Sequence, residues 1–339
     1  MSILRVLHLV GSATNAFYAD LSRLYARECL EAVVDSMRYE FHIAYISPDN
    51  LWRFPESLSE AAIAAASAYS LPDAIGILSA LNIDLALPQM FCLSGMTHYR
   101  ALLDLLGIPY IGNSPEVMAL VANKAKAKAV VAAAGVKVPH GEVVRSGEHP
   151  NIPPPAIVKP VNSDNSLGVS LVRNATEFSR ALDTAFAHAN EVLIEEFIPL
   201  GREVRGGLII RRGQPICLPF EEYLLDAKTT PIRSYAEKLI RSDDGNLGYA
   251  AKGNGKSWIA NKDDAIALAV WDAVQTCHDA LGCRHYSLFD FRIDPSGQPW
   301  FLEAGLYCSF SPNSVLSEMT NALGFSLPAF FEMMLDSVC

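Results

Sequence analysis

The stretch Tyr286 to Gly305, Y-S-L-F-D-F-R-I-D-P-S-G-Q-P-W-F-L-E-A-G, decides how the rest of this chain is read. Strong strand formers flank Asp294-Pro295-Ser296-Gly297, a run with turn chemistry, so the stretch predicts a β-hairpin. With residues 295 to 298 as the loop, pairing 294 with 299 and continuing outward sets Asp290 opposite Glu303. Period-two alternation then places Phe289, Phe291, Ile293, Trp300, Leu302 and Ala304 on a core face, and Leu288, Asp290, Arg292, Phe301 and Glu303 on the other. Two carboxylates about 5 Å apart at Cβ repel unless something positive sits between them. Mg²⁺, which takes one or two carboxylates together with substrate phosphates, fits that arrangement. So does a solvated edge on which Arg292 compensates both acids, and the hairpin alone leaves both readings open.

Working outward, the 339 residues are 50% hydrophobic and 19% charged, enough for packed cores in two or three domains. A formal net charge of −10 argues against a nucleic-acid backbone as main partner, because that binding rests on basic surface. Seven cysteines are scattered without C-x-x-C or His-paired spacing, which fits a reduced, cytoplasmic chain better than a disulfide framework or zinc site. The N-terminal M-S-I-L-R-V-L-H-L-V-G is strand length and has no signal-peptide features. No run of about 18 apolar residues occurs, so no membrane span is expected.

Along the chain, Arg5–Val10, Tyr39–Ile46, Ile83–Leu87 and Ile108–Ile111 read as strands, with helices over residues 16–34 and 99–106 between them. Strand, helix, strand with short connections predicts a parallel sheet. Ser114-Pro115 supplies an N-cap and N1 proline for the next unit. A helix carrying Lys124, Lys126 and Lys128 ends at Gly135. Its lysines suit either a solvated face or an anion site. Lys159 lies inside the apolar strand Ala156–Pro160, where a buried ammonium needs an anion. The polar loop Asn162–Gly168 suits backbone binding of phosphate, or an ordinary hairpin turn. Glu195 and Glu196 end the strand 191–198, and residues 222–262 lose periodicity, as a functional lid would. Gly253-Asn254-Gly255-Lys256-Ser257 has Ala250 where a P-loop needs glycine, and no flanking strand and helix, so it reads as loop composition.

In this order the motifs resemble the ATP-grasp superfamily, and within it the D-alanine:D-alanine ligase-like branch. The likeness spans essentially the whole chain. It implies an α/β, three-domain ATP-grasp fold: an N-terminal parallel α/β domain (1–114), a small central α+β domain (115–196) and a C-terminal α+β domain (197–339) with its lid at about 222–262. ATP would bind between the last two. The family's helix lysine resembles Lys124, followed by Lys128 and Gly135, and its strand lysine resembles Lys159. The phosphate loop would be Ser163, Asn165, Ser166 and Gly168. The adenine and ribose contacts would be Glu195, Glu196, Phe197, Ile198 and Glu203. The metal ligands would be Asp290 and Glu303, which favours Mg²⁺ on the hairpin, with Mn²⁺ as a substitute. The catalytic set would be Lys238, Arg292 and Ser314. The implied chemistry is phosphorylation of a substrate oxygen by ATP, then displacement of phosphate by an amine.

Two positions depart from the family pattern. The asparagine expected two residues after the metal glutamate is Gly305, and the arginine expected two residues before the metal aspartate is Leu288. Together with L-H-L-V-G-S (7–12), L-P-Q-M-F-C-L-S-G-M-T-H-Y-R (87–100), V-K-P-V-N-S-D-N-S-L-G-V (158–169) and G-R-E-V-R (201–205), they resemble the branch that ligates amino acids to mycosporine-glycine. That implies small-molecule substrates, mycosporine-glycine with serine or threonine, and no nucleic-acid or membrane partner. A homodimer follows from the family's habit. The alternatives are a D-alanine:D-alanine or other dipeptide ligase, and a non-catalytic ATP-binding module.

Overall fold

The computed structural model describes residues 3–163, 166–233, 239–241, 247–249 and 255–338. Three sheets organise it. Leu4–Gly11 pairs in parallel with Tyr39–Ile46 on one side and Leu85–Pro88 on the other, and Trp52–Arg53 closes the far edge antiparallel. The first strand is buried along most of its length, as a strand covered by helices on both faces must be. The helix Ala16–Val33 begins where the Asn15 side chain accepts from the Tyr18 amide. Ile108–Ile111, expected as a strand, contributes one bridge, Ala86 to Tyr110. Pro109 lies within that segment and offers its carbonyl, but no amide, to a ladder.

The central unit is a four-stranded antiparallel sheet in the order Gly141–Arg145, Glu191–Glu196, Ala156–Pro160, Ser170–Val172. Helix Phe178–Phe186 covers it, burying Ala181 and Ala185. Two helices precede this sheet. Pro115–Ala122 stops at Asn123, whose side chain caps a second helix, Lys124–Ala133, by accepting from the Lys126 amide at 3.0 Å. The Lys124 amide donates to the Val161 carbonyl at 3.1 Å, which ties the first turn of this helix to the end of the central sheet.

The third sheet is six-stranded and antiparallel. Its core is Arg202–Arg211 between Glu221–Tyr223 and the hairpin strands Tyr286–Ile293 and Pro299–Ala304. The pairing starts at Ile293 with Pro299, so the loop is one residue longer than the expected 295–298, and Asp290 still meets Glu303 because Leu302 is an extra residue in a β-bulge between that pair and Phe291 with Phe301. The slip reverses the expected faces from that point. Phe301 joins Phe289 and Phe291 in the core, with ring centroids 6.0 and 6.1 Å away, and Leu302 turns to the cleft beside Glu303. The aperiodic segment 222–262 also holds more structure than a loop. Leu239–Arg241 pairs with Leu247–Tyr249, and Ser257–Ile259 pairs with Glu221–Tyr223. Among the described residues no helix is long and apolar enough to cross a membrane.

Helix Ala267–Leu281 covers the core side of this sheet and ends at Gly282 in the left-handed region, φ 69°. It approaches Gly206 so closely that an added Cβ would stand 2.5 Å from Val274 Cγ2 and 3.1 Å from Val270 Cγ1. Gly206→Val should therefore cost about 1–3 kcal/mol through overpacking, read as a lower urea midpoint at unchanged slope. An unchanged midpoint would contradict this account of the packing.

Candidate active site

A cleft of about 740 Å³, counting its open mouth, lies between the central and C-terminal sheets. Its walls carry Lys124, Lys159, Ser163, Ser166, Glu195, Glu196, Phe197, Ile198, Glu203, Asp290, Arg292 and Glu303, all singled out in the sequence, and also Arg233. Gly168 lies just behind the wall with φ 74°, where an added Cβ would meet Pro160 Cγ at 2.8 Å, so the loop needs glycine there for conformation and space. Ser163 Oγ donates to the Leu167 carbonyl at 3.0 Å and closes the same loop. Asn165 and Lys238 lie outside the described residues. Ser314 stands apart from the cleft, at the start of helix Val315–Ala322, with its Oγ 3.7 Å from Cys308 Sγ.

Buried charge sets the character of the floor. Glu195 is 2% exposed and receives two ammonium groups, Lys128 Nζ at 2.6 Å and Lys159 Nζ at 2.7 Å. Burial pushes the Glu195 carboxyl up, yet these two lysines outweigh it and hold the group below the usual carboxylate range. Lys128 also donates to the Phe301 carbonyl at 3.0 Å, and burial lowers its pKa to about 8 against the pull of Glu195. The i, i+4 lysines are therefore an inward face, not a solvated one. Lys124 meets the Ser163 carbonyl and lies 3.7 Å from Glu303.

Arginines compensate the other buried acids of the cleft. Arg292, which the sequence offers as counter-charge to both hairpin acids, turns instead to Glu203, with Nη2 at 2.6 Å from Oε2. Its guanidinium also stands 5.5 Å from the Phe197 ring centroid. Asp290 is held by Arg205, directly opposite it on the neighbouring strand, and by Arg233 Nη2 at 2.7 Å. Arg233 bridges to Glu203 through Nε at 2.9 Å. Sequence reasoning missed both arginines. Arg205 had a signal, since it is one pleat step from Glu203 in G-R-E-V-R and so shares its face. Arg233 had none, because it lies in an aperiodic stretch.

These donors suit a hard cation bound jointly with phosphates. Asp290 and Glu303 face each other across one ladder and open to a cleft lined by Lys124 and Lys159. Among the described residues no group of three or more His, Cys, Asp and Glu side chains is placed to hold a metal by itself. Two carboxylates plus a phosphorylated ligand is the set the geometry offers.

Glu195→Gln tests the charged floor. Removing the anion strands two buried lysines, at a cost of about 3–5 kcal/mol at neutral pH. Lys128 has a folded pKa of about 8, below its ordinary 10.5, so between those values the unfolded chain holds a proton that the folded chain has released. Stability from this group therefore rises with pH through that window and carries its full penalty below it. Without Glu195 the folded pKa falls further and the window extends downward, so the variant should recover part of its loss between neutral pH and pH about 9.5. Equal urea midpoints at both pH values would contradict this.

A family profile described as D-ala D-ala ligase C-terminus matches residues 137–336. The D-alanine–D-alanine ligase of Citrifermentans bemidjiense is 32% identical over 238 residues, covering 70% of this chain and 71% of that one. Among solved structures, the VanG D-Ala:D-Ser ligase of Enterococcus faecalis superposes on all of both chains with a TM-score of 0.79 at 19% identity. The D-alanine–D-alanine ligase of Bacillus anthracis complexed with ATP covers 99% of this chain and 97% of its own, with a TM-score of 0.71 at 20% identity. The architecture is thus the α/β fold of these ATP-grasp ligases.

Proposed function

This chain belongs to the D-Ala–D-Ala ligase family, and from that premise we propose that it is an ATP-dependent, ADP-forming ligase that makes a carbon–nitrogen bond to an amino acid. The observation that carries this is the opposition of Asp290 and Glu303 in the wall of a cleft floored by paired lysines. A substrate oxygen takes the γ-phosphoryl group of ATP, releasing ADP. The amine of the second substrate then attacks the phosphorylated carbon, phosphate leaves and the amine loses a proton.

The chain's own residues divide this work. Lys124 and Lys159 stand where triphosphate oxygens would lie and supply fixed positive charge to the transferring group. Glu195 holds Lys128 and Lys159 in place from beneath. Glu196, Phe197 and Ile198 edge the part of the cleft that suits the adenine, and Glu203 the part that suits ribose hydroxyls. Asp290 and Glu303 would hold Mg²⁺, which screens phosphate charge when bound. Lys238 is proposed for the lid end of the same site. Ser314, outside the nucleotide cleft, is proposed for the carboxylate of the amine donor. Its loop meets the N-terminal sheet where Gln89 Nε2 donates to the Ser309 carbonyl at 2.6 Å.

The relatives, D-Ala–D-Ala and D-Ala:D-Ser ligases, favour D-alanine as first substrate, with D-alanine or another amino acid as amine donor. A second reading, mycosporine-glycine as acceptor with serine or threonine as donor, is favoured by Leu288 and Gly305. Leu288 is 6% exposed and apolar where the resemblance expects a guanidinium for an oxyanion. Attack on a phosphorylated enol of a conjugated ring spreads charge away from one oxygen and needs that guanidinium less.

ADP release separates these readings. It should occur with ATP, Mg²⁺ and D-alanine for the dipeptide ligase. A requirement for mycosporine-glycine plus an amino acid, with a new long-wavelength ultraviolet chromophore, would establish the second reading instead. No ADP under either condition would refute both. Asp290→Asn and Glu303→Gln should each lower ADP formation by at least about a hundredfold, as loss of a transition-state electrostatic contact does, while circular dichroism stays native. Unchanged ADP formation in both variants would refute the placement of the site.

A further inference from the structure

The face that carries Asp290 reads as a row of cross-strand pairs: Arg292 with Glu203, Asp290 with Arg205, and Leu288 with Gly207. We propose that the guanidinium of Arg233, beside an Asp290 that Arg205 holds in place, serves as the second cation of this site, so that the chain binds ATP with a single divalent ion. This rests on the ligase reading above and goes beyond it by assigning the charge balance of the site.

Donor capacity carries the argument. An ionised carboxylate offers about four lone-pair positions. Asp290 spends at least three of them on arginine: Arg205 Nε on Oδ1, Arg205 Nη2 on Oδ2 at 2.9 Å, and Arg233 Nη2 on Oδ2 at 2.7 Å. What remains is at most one position toward a metal. Glu303 is the other hairpin acid, and Gly305 has no side chain to add a third donor. Space is not the reason for glycine there, since an added Cβ at Gly305 would meet nothing within 4 Å. One and a half carboxylates can anchor one ion shared with phosphates, but not a pair.

The arginines are built in, not incidental. Tyr223 presents its ring 3.9 Å from the Arg233 guanidinium carbon and 5.8 Å from that of Arg205, so one aromatic face orders both. Arg233 lines the cleft itself and bridges two of its acids, Glu203 and Asp290. Arg205 stands behind Asp290 and fixes the direction of its carboxylate. A fork of N–H donors at this place meets phosphate oxygens bidentately, as a second metal ion would meet them by charge. Arg233 is the group that reaches the nucleotide, and Arg205 is a positioning residue that acts through Asp290.

Equilibrium dialysis of the full chain against Mn²⁺ and β,γ-imido-ATP, counting metal and nucleotide on the protein, tests this directly. One Mn²⁺ per bound nucleotide is the expected result. Two per nucleotide in the unaltered protein, or none, would overturn the proposal. Without metal, Arg233→Gln should weaken nucleotide binding about tenfold, the size of one lost charge-assisted contact. Arg205→Gln should leave that metal-free binding within about twofold but change Mn²⁺ affinity in the ternary complex by about tenfold, because Asp290 is released from its fork. Arg205→Lys, which keeps the charge and loses the fork, should not restore it. Unchanged metal-free binding in Arg233→Gln together with unchanged Mn²⁺ affinity in Arg205→Gln would also overturn the proposal. Absence of nucleotide from the protein under every condition would refute the ligase reading itself, an outcome distinct from a count of two ions.

Discussion

Pairing of buried opposite charges is the constraint on which this structure depends. Taking an ion out of water costs several kcal/mol unless a partner and hydrogen bonds replace its hydration. Around the cleft every buried acid has such partners. Lys128 and Lys159 converge on Glu195, Arg233 and Arg292 on Glu203, and Arg205 and Arg233 on Asp290. These pairs come from different elements, so each also ties elements together. Lys128 belongs to the helix Lys124–Ala133, Lys159 and Glu195 to adjacent strands of the central sheet, and Lys128 reaches across to the hairpin at the Phe301 carbonyl. The cleft can exist without collapsing because its polar lining is satisfied from within. A triphosphate with its cation would enter as one more member of the same network and redistribute partners that are already present.

How much of this was legible in the sequence depended on the range of the interactions. Local chemistry was readable. The Asp294-Pro295-Ser296-Gly297 turn marked the hairpin, and Ser114-Pro115, Gly135 and Gly282 marked helix ends where the structure has them, but Asp290 meets Glu303 only because a turn one residue longer than expected is offset by the bulge. The bulge at Leu302 was not readable, because alternation carries no mark for a residue inserted in one strand. It moved Phe301 into the aromatic core and Leu302 out to the cleft. Lys128 was open to a solvated reading because its partner, Glu195, lies in a strand far along the chain. Arg205 escaped notice because its partner, Asp290, lies on a strand far along the chain, and Arg233 because it lies in an aperiodic stretch.

The family likeness and the chain's own side chains bear on different halves of the reaction. Most residues that the resemblance assigns to the nucleotide line one cleft, while Asn165 and Lys238 lie outside the described residues and Glu195 pairs with two lysines. Leu288 stands where the resemblance expects an arginine and Gly305 where it expects a metal-binding asparagine, while guanidinium groups reach Asp290 from Arg205 on the neighbouring strand and from Arg233.

The central claim is that ATP activates the acceptor by phosphorylating one of its oxygens. It is tested most directly by labelling that oxygen with ¹⁸O and following it through turnover with whichever acceptor supports ADP formation. The account predicts that the label appears in the released inorganic phosphate, one atom for each carbon–nitrogen bond made. Phosphate without label, with the bond still formed, would contradict it.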